Sequence, residues 1–396
     1  MKITDSRPFI HKGNYDVIVV GGGVAGVAAA VAAGRHGAKT LLIEKTVMLG
    51  GLATVGLISW YEPLCDRCGQ QMTGGIAEEL LRVLIRDGFD SLPEDWKNKK
   101  KLKGNKGDYA TLFSPTMGAI SLDRFVLDSG AELLFDAHAT FPVMKRGRCV
   151  GVIAETVEGR VYYEADAVVD ATGDASVFHR AGAMTYLGDN YLSGVSHEIK
   201  YENAPKFIET NNVKHMRQWK VIGSNLYGSG HPADMPLLHC ESAEDVTRYM
   251  IETRKMALEH VDEDRFSRDI ATLPGMPQFR KIRRIEAEYV FTGEELNVKF
   301  PDAIGSCNDF RKKGMLFQIP YRSLYKKEFK NMLAAGRIIG ATSEGWEITR
   351  VIPVAALTGH AAGMAAAMIA LEKKTVSTLS VRKLRKNLKE QGVLFI

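Results

Sequence analysis

Three observations predict an α/β protein built on a buried parallel sheet. Asp16 leads into Val17-Ile18-Val19-Val20, a continuous β-branched run of the kind that forms a strand covered on both faces. Glycines at Gly21, Gly23 and Gly26 follow at once with G-x-G-x-x-G spacing, and the alanine-rich stretch Val24 to Arg35 continues as a helix. A second apolar run, Lys39 to Ile43, then ends in an acid, Glu44.

Each part of this stretch has a physical task in a Rossmann-like βαβ unit. The first glycine permits a tight turn, the second lets a pyrophosphate approach the backbone, and the third lets helix and sheet pack closely. Val24 and Ala25 open a helix whose free N–H groups and dipole favour a phosphate. Gly37 ends that helix. Glu44 is placed to accept hydrogen bonds from a ribose diol and would repel a 2′-phosphate, so the ligand expected is FAD or NAD and not NADP.

Further along, the glycine pair Gly50-Gly51 offers a backbone without side chains to a flat ligand, or is simply a flexible loop. Ile76 to Asp87 is an amphipathic helix with apolar positions at Ile76, Leu80, Leu81, Leu84 and Ile85. A helix from Met117 to Ser129 leads to a third parallel strand, Gly130 to Phe135. The period then changes to two. Thr140 to Met144, Cys149 to Glu155 and Arg160 to Tyr163, with turns at Arg146-Gly147 and Glu158-Gly159, read as a three-stranded antiparallel meander inserted as a crossover.

The chain returns through Ala167 to Asp174, a buried strand ending in a small-residue turn at the sheet edge where open α/β folds hold ligands. From Leu187 to Lys330 the sequence is more polar, with charged helices expected at Ala243 to Glu259 and Asp262 to Thr272. Met332 to Arg337 is again strand and glycine turn, and Val351 to Leu371 is a last helix with Gly359 and Gly363 spaced for close backbone approach. The organisation expected is therefore a discontinuous nucleotide-binding domain, residues 1–186 and 331–396, and a second α+β substrate or cap domain, residues 187–330.

At 396 residues, 45% apolar and 25% charged, the chain is long enough for two domains and too apolar for disorder. A net charge of +5 is small for this length, and the lysine cluster Lys97 to Lys106 lacks interleaved aromatic residues, so neither a nucleic acid nor a membrane is an expected partner. Val17 to Ala33 and Ile352 to Leu371 are apolar, but glycines, Pro353, Thr358 and His360 mark them as buried elements rather than membrane spans. The polar beginning, MKITDSRPFIHKGNYD, has no secretory pattern, and the cysteines at 65, 68, 149, 240 and 307 are few and odd in number; the expected location is the cytoplasm. Cys65 and Cys68 form one CxxC with no second pair, which leaves a redox dithiol or ordinary free thiols and no metal site.

Arg280, Arg283 and Arg284 stand within five residues and are read either as a clamp for a carboxylate or developing anion, or as structural partners of Glu286, Glu288 and Glu294. His360 is read either as a proton donor or acceptor near the cofactor, or as a hydrogen-bonded packing residue.

The segments Val20 to Lys45, Met48 to Thr54 (MLGGLAT), Val168 to Ala175 (VVDATGDA), Phe279 to Leu296 and Leu333 to Ala367 resemble, in this order, the FAD-dependent oxidoreductases of the fumarate reductase and glutathione reductase superfamily, and within it a group of bacterial flavoproteins. The resemblance implies FAD, with its adenosine half on the first unit, Glu44 and Lys45 at the ribose, and Gly50, Gly51, Leu52, Ala53 and Thr54 along the ribityl chain and flavin. It also implies that Ala139, Ala171, Thr172, Gly173, Asp174, Gly336 and Arg337 line the cofactor. Arg350, Val351 and the helix after them fall at the pyrimidine end, where a positive helix terminus stabilises the charge gained on reduction.

The reaction expected is hydride transfer between a small, anionic organic substrate and the flavin in a cleft between the domains, with Arg280 and Arg284 as clamps. Two alternatives are a relay from flavin through Cys65 and Cys68 to a disulfide partner, and a non-enzymatic flavin module that exchanges electrons with a donor or acceptor protein. Substrate identity and oligomeric state have no motif in the sequence.

Overall fold

The computed structural model describes residues 8–97 and 108–396. Apart from Lys97, the lysine cluster lies outside the described residues.

The first unit forms as the sequence implies: β1 (Ile10–Val20), α1 (Val24–Arg35) and β2 (Thr40–Ile43), with β1 and β2 parallel and in register from Val17↔Thr40 to Val20↔Ile43. β1 begins earlier than Asp16. Its first half is mostly exposed and polar, so hydropathy carries no sign of it. A short ribbon, β3 (Trp60–Tyr61) with β4 (Thr111–Leu112), brackets α2 (Ile76–Arg86) and α3 (Glu94–Lys97). Helix α4 (Pro115–Leu127), with Ser114 as N-cap and proline in its first turn, leads to β5 (Glu132–Leu134), which lies parallel to β2.

The meander is β6 (His138–Lys145), β7 (Arg148–Thr156) and β8 (Gly159–Asp170). Arg146 and Gly147 join β6 to β7 with φ of 51° and 77°, the two positive values a two-residue hairpin turn requires. One expectation is corrected here. The last meander strand and the returning strand are a single strand, β8, which carries the meander at the edge of the main sheet. β8 pairs with β1 along its whole length, while its other edge is shared between β7 at the start and β16 (Met332–Ala334) at the end. The strand order is β5-β2-β1-β8-β7-β6, with β16 beside β8.

Between β8 and β16 the chain forms α5 (Ser176–Arg180), β9 (Thr185–Leu187), β10 (Ser193–Lys200), α6 (Ala204–Thr210), β11 (Arg217–Gly223), α7 (Ala243–Asp262), β12 (Arg268–Thr272), β13 (Arg283–Ile285), β14 (Ala303–Cys307) and β15 (Phe317–Pro320). The helix expected over Asp262 to Thr272 is instead a turn and then β12, because Arg268 to Thr272 add an antiparallel edge to β10. Sheet β11-β10-β12 and α7 enclose a small core of Leu192, Leu238, Tyr249, Phe279 and Ile282. Buried residues from Ile285 onward, among them Phe291, Phe317 and Tyr321, join the large core instead. Within the stretch 187–330, residues from Ile285 onward thus pack with the large core, and β14 lies against the last long helix.

The chain ends with α8 (Ser343–Thr349), α9 (Ile352–Glu372) and α10 (Val381–Glu390). α9 is long and apolar enough to cross a membrane, but here it is the buried centre of the large core, packed on α1. The spacing of its glycines explains the packing. A Cβ at Gly359 would lie 2.1 Å from the carbonyl oxygen of Ala25, and one at Gly363 2.0 Å from that of Ala29, so the two helices meet backbone to backbone.

Candidate functional site: a dinucleotide cleft

At the carboxyl ends of β1, β2 and β8 the glycine turn is built by close approach. A Cβ at Gly21 would lie 2.7 Å from the Ala171 carbonyl oxygen, and one at Gly26 1.8 Å from that of Gly21. Gly23 differs, because a Cβ there meets no protein atom within 4 Å and would project into open space before the amino end of α1. That is the place for a pyrophosphate against bare backbone. Glu44, 8% exposed, accepts hydrogen bonds from the N–H groups of Gly22 (2.6 Å) and Thr46 (2.8 Å), which orient it at the end of β2. The Gly50 N–H donates to the Gly22 carbonyl at 2.8 Å, so the glycine pair lies along the first glycine turn. Thr54 supports the pair, its hydroxyl donating to the Leu49 carbonyl.

The facing wall comes from the turn after β8. Asp170, fully buried, accepts 3.0 Å bonds from the N–H groups of Val177 and Phe178 and shapes the Ala171-Asp174 turn; burial pushes its carboxyl up to about 6. Arg337 donates to the carbonyls of Gly173 (2.6 Å) and Phe279 (3.0 Å), and Gly336, at φ 78°, donates to the Thr358 hydroxyl at 2.9 Å. Cys240 lies on the same cleft, its thiol pushed up to about 11 by burial and by nearby Asp174.

At the far end stand Arg350, paired with Glu347, and Val351, the N-cap of α9. Glu62, just after β3, accepts a 3.1 Å bond from the first N–H of that helix, at Ile352. Arg280, singled out from sequence, does not itself line the cleft; it lies behind this end, influenced by Tyr249, Arg350, Arg337 and Glu62, and its guanidinium donates to the Gln278 carbonyl. Burial lowers Arg280 and Arg337 to about 10 each, and among the described residues neither forms a carboxylate ion pair.

The cleft between these walls holds about 1380 Å³ of non-protein space, part of it open to solvent. Of the residues singled out from sequence, Gly21, Gly23, Val24, Ala25, Glu44, Lys45, Gly50, Gly51, Leu52, Ala53, Ala139, Ala171, Thr172, Gly173, Asp174, Gly336, Arg337 and Arg350 line it. Gly26, Thr54 and Val351 sit behind the wall as turn and cap residues.

Two expectations are not met. Arg284 points away from the cleft and stacks over Tyr186 at 4.4 Å, because neighbours on a strand face opposite ways; Arg283 is the one beside Cys240. His360 is fully buried, its Nε2 2.7 Å from the Gln391 side-chain oxygen and its Nδ1 accepting from the Ile76 N–H at 3.4 Å. It caps α2 and ties α9 to the C-terminal turn, and burial lowers it to about 4, so it is a neutral packing residue. Cys65 and Cys68 lie off the cleft as well, with Cys65 buried and its thiol raised by burial, opposite to an activated thiolate.

Sequence reasoning missed Glu62, Cys240, Asp170 and the Met276-Pro277 wall. Only Asp170 carried a signal, as the polar end of a buried strand. The others come from loops whose position depends on distant contacts.

Fold and cleft together define an oxidoreductase of the dinucleotide-binding α/β class. The chain belongs to the FAD-dependent oxidoreductase family, whose description matches residues 16–196 and 194–388. FAD is its cofactor, and the open space at Gly23, the oriented Glu44 carboxyl and the glycine-lined cleft fit it. A digeranylgeranylglycerophospholipid reductase of Methanoculleus marisnigri is 29% identical over 189 residues, 44% of this chain and 43% of that protein. A tRNA uridine 5-carboxymethylaminomethyl modification enzyme of Geobacillus kaustophilus is 30% identical over 199 residues, 49% of this chain and 27% of that one. The match therefore spans less than half of either relative. Among solved structures, a geranylgeranyl bacteriochlorophyll reductase-like protein from Thermoplasma acidophilum is similar with TM-score 0.48 and 14% identity, over 96% of this chain and 84% of that chain.

Proposed function

We propose that this flavoprotein transfers a hydride between a small anionic organic substrate and FAD, in the cleft between the large core and the small sheet. The observation that carries the reading is the cationic far end of the cleft. Arg280, Arg337 and Arg350 converge there, and the first two hold only backbone carbonyls among the described residues. Guanidiniums kept from water without a carboxylate are available to an anion, whether a substrate carboxylate or the charge gained by the flavin on reduction. The bound cofactor supplies the redox chemistry; Arg280 and Arg350 bind and orient the substrate, and Met276 and Pro277 narrow the cleft against water.

The same reading assigns the chain to the bacterial members of the fumarate reductase and glutathione reductase superfamily, supported by glycine turns that return to the cofactor from the far end of the sequence. A reducing compartment such as the cytoplasm suits five cysteines that are all free. Electron exchange with a small molecule is favoured over a dithiol relay because the Cys65 thiol is buried.

The test is bleaching of the flavin band under anaerobic challenge with matched carboxylates and their neutral amides. Only the anions should reduce the wild-type protein, and Arg280→Gln should slow that reduction about a hundredfold, on the scale of a lost buried charged hydrogen bond, while FAD stays bound. Equal reduction by acid and amide would refute an anionic substrate.

A further inference from the structure

Glu62 has no task in the proposed hydride transfer, yet its position is specific. It is 8% exposed, and its Oε2 meets the Ile352 N–H at 3.1 Å. Ile352 and Arg350 line the cleft, so the first turn of α9 faces the cofactor space on one side and Glu62 on the other. With Glu44 placed to hold the adenosine ribose at the opposite end, the isoalloxazine of a bound FAD would lie at this turn. The charged and titratable groups around Glu62 come from four segments. Arg350 is shared with Glu347, which also holds Lys281; Arg280 follows the small sheet; Tyr61 precedes Glu62 and donates to the Ala77 carbonyl; Tyr249 on α7 faces Arg280. Among the described residues no guanidinium or ammonium lies within ion-pair distance of Glu62, so its direct side-chain partner is the helix end itself.

We propose that Glu62 is a charge-compensating positioning residue for the flavin: its carboxylate neutralises the amino end of α9 while the flavin is oxidised, and it takes up a proton when the flavin is reduced. The inference rests on FAD lying with its ring at this end. Two electrons and one proton enter the flavin at N5, leaving one negative charge on the pyrimidine side, and one further proton from solvent binds the Glu62 carboxylate. The charge of the site is then unchanged. The cause is like-charge repulsion: two anions facing one helix terminus cannot both be stabilised, and the carboxylate is the one that accepts a proton. Burial already pushes the Glu62 carboxyl up to about 7, against the pull of the Ile352 N–H, Arg350 and Arg280, so uptake is easy near neutrality.

The experiment compares the FAD-loaded wild-type protein with Glu62→Gln, equilibrating each with reference redox dyes from pH 5.5 to 8.5. At pH 5.5 both proteins should be equally reducible. Above pH 7 the variant should become the easier to reduce by about tenfold per pH unit, which for a two-electron couple is about 30 mV. A ratio that stays constant across the range overturns the proposal, because a purely structural glutamate would shift all values together. The wild-type protein alone gives a second reading: its reduced-minus-oxidised infrared difference spectrum at pH 8 should gain a protonated-carboxyl band, and absence of that band also overturns it. A preparation that takes up no FAD would sink the cofactor reading and this role together, whereas a yellow protein with a constant ratio sinks this role alone.

Discussion

The α1/α9 pair and the β10-β11-β12 sheet solve the same problem, holding two segments together, by opposite means. In the first, Gly359 and Gly363 remove side chains so that backbones touch, and nearly every residue of both helices is buried. In the second, the apolar core is small, and polar side chains reach across instead. The Gln278 amide donates to the carbonyls of Gly56 and Val195 and accepts from the Val195 N–H. Asn190 similarly ties Leu238 to Arg280 and Lys281. The difference teaches that the nucleotide-binding side is fixed by what side chains are missing, and the small-sheet side by which few polar groups are present. Dense backbone packing has one solution, whereas a polar clasp can be rebuilt with other hydrogen-bonding side chains.

Substitutions should separate the two regions sharply. Gly363→Val is expected to have the largest effect, roughly 4 kcal/mol or more of lost stability, since α9 must move off α1; denaturant unfolding or soluble yield would measure it. If the variant melts like the parent, the backbone contact is not what holds the helices.

Gln278→Leu should cost about 3 kcal/mol, because it strands three backbone groups, and the loss should appear first as faster amide hydrogen exchange in β10 with FAD retained. Exchange that rises equally in α9 would mean the two regions unfold as one.

A buried histidine in each region offers a matched pH test. His360 and His197 are both lowered to about 4 from 6.5, mainly by burial, so the unfolded state binds the proton first. The stability each contributes is complete above pH 6.5 and is lost as pH falls toward 4, about 2 kcal/mol by pH 5. His360→Gln and His197→Gln should each shrink the difference in unfolding free energy between pH 7 and pH 5. An unchanged difference would show that the ring in question already carries its proton in the folded protein.

The smallest effect is expected from Arg284→Ala, under about 1 kcal/mol from the contact with Tyr186 and no change in flavin reduction. Slower reduction would restore Arg284 to the site.

Legibility from sequence follows the same division. The turn Gly21 to Gly26, the acid at Glu44 and the spacing of Gly359 and Gly363 were readable because each answers a local steric or electrostatic demand. Where backbone pairing decided the outcome, local patterns misled. The first half of β1 is polar yet paired, and the charged residues leading into β12 suit helix or strand until β10 pairs with them. Strand alternation, invisible until β13 pairs with β9, puts Arg284 over Tyr186 and Arg283 on the opposite face.

The sequence by itself determined the cofactor and the half of the fold that carries it, because bare backbone, a helix terminus and one carboxylate act within a few residues of one another. Tertiary structure alone decided which charges gather near the first turn of α9. Glu62, Arg280 and Arg350 lie on three separate segments, and their meeting at the first turn of α9 depends on the packing of two cores, which no local pattern encodes.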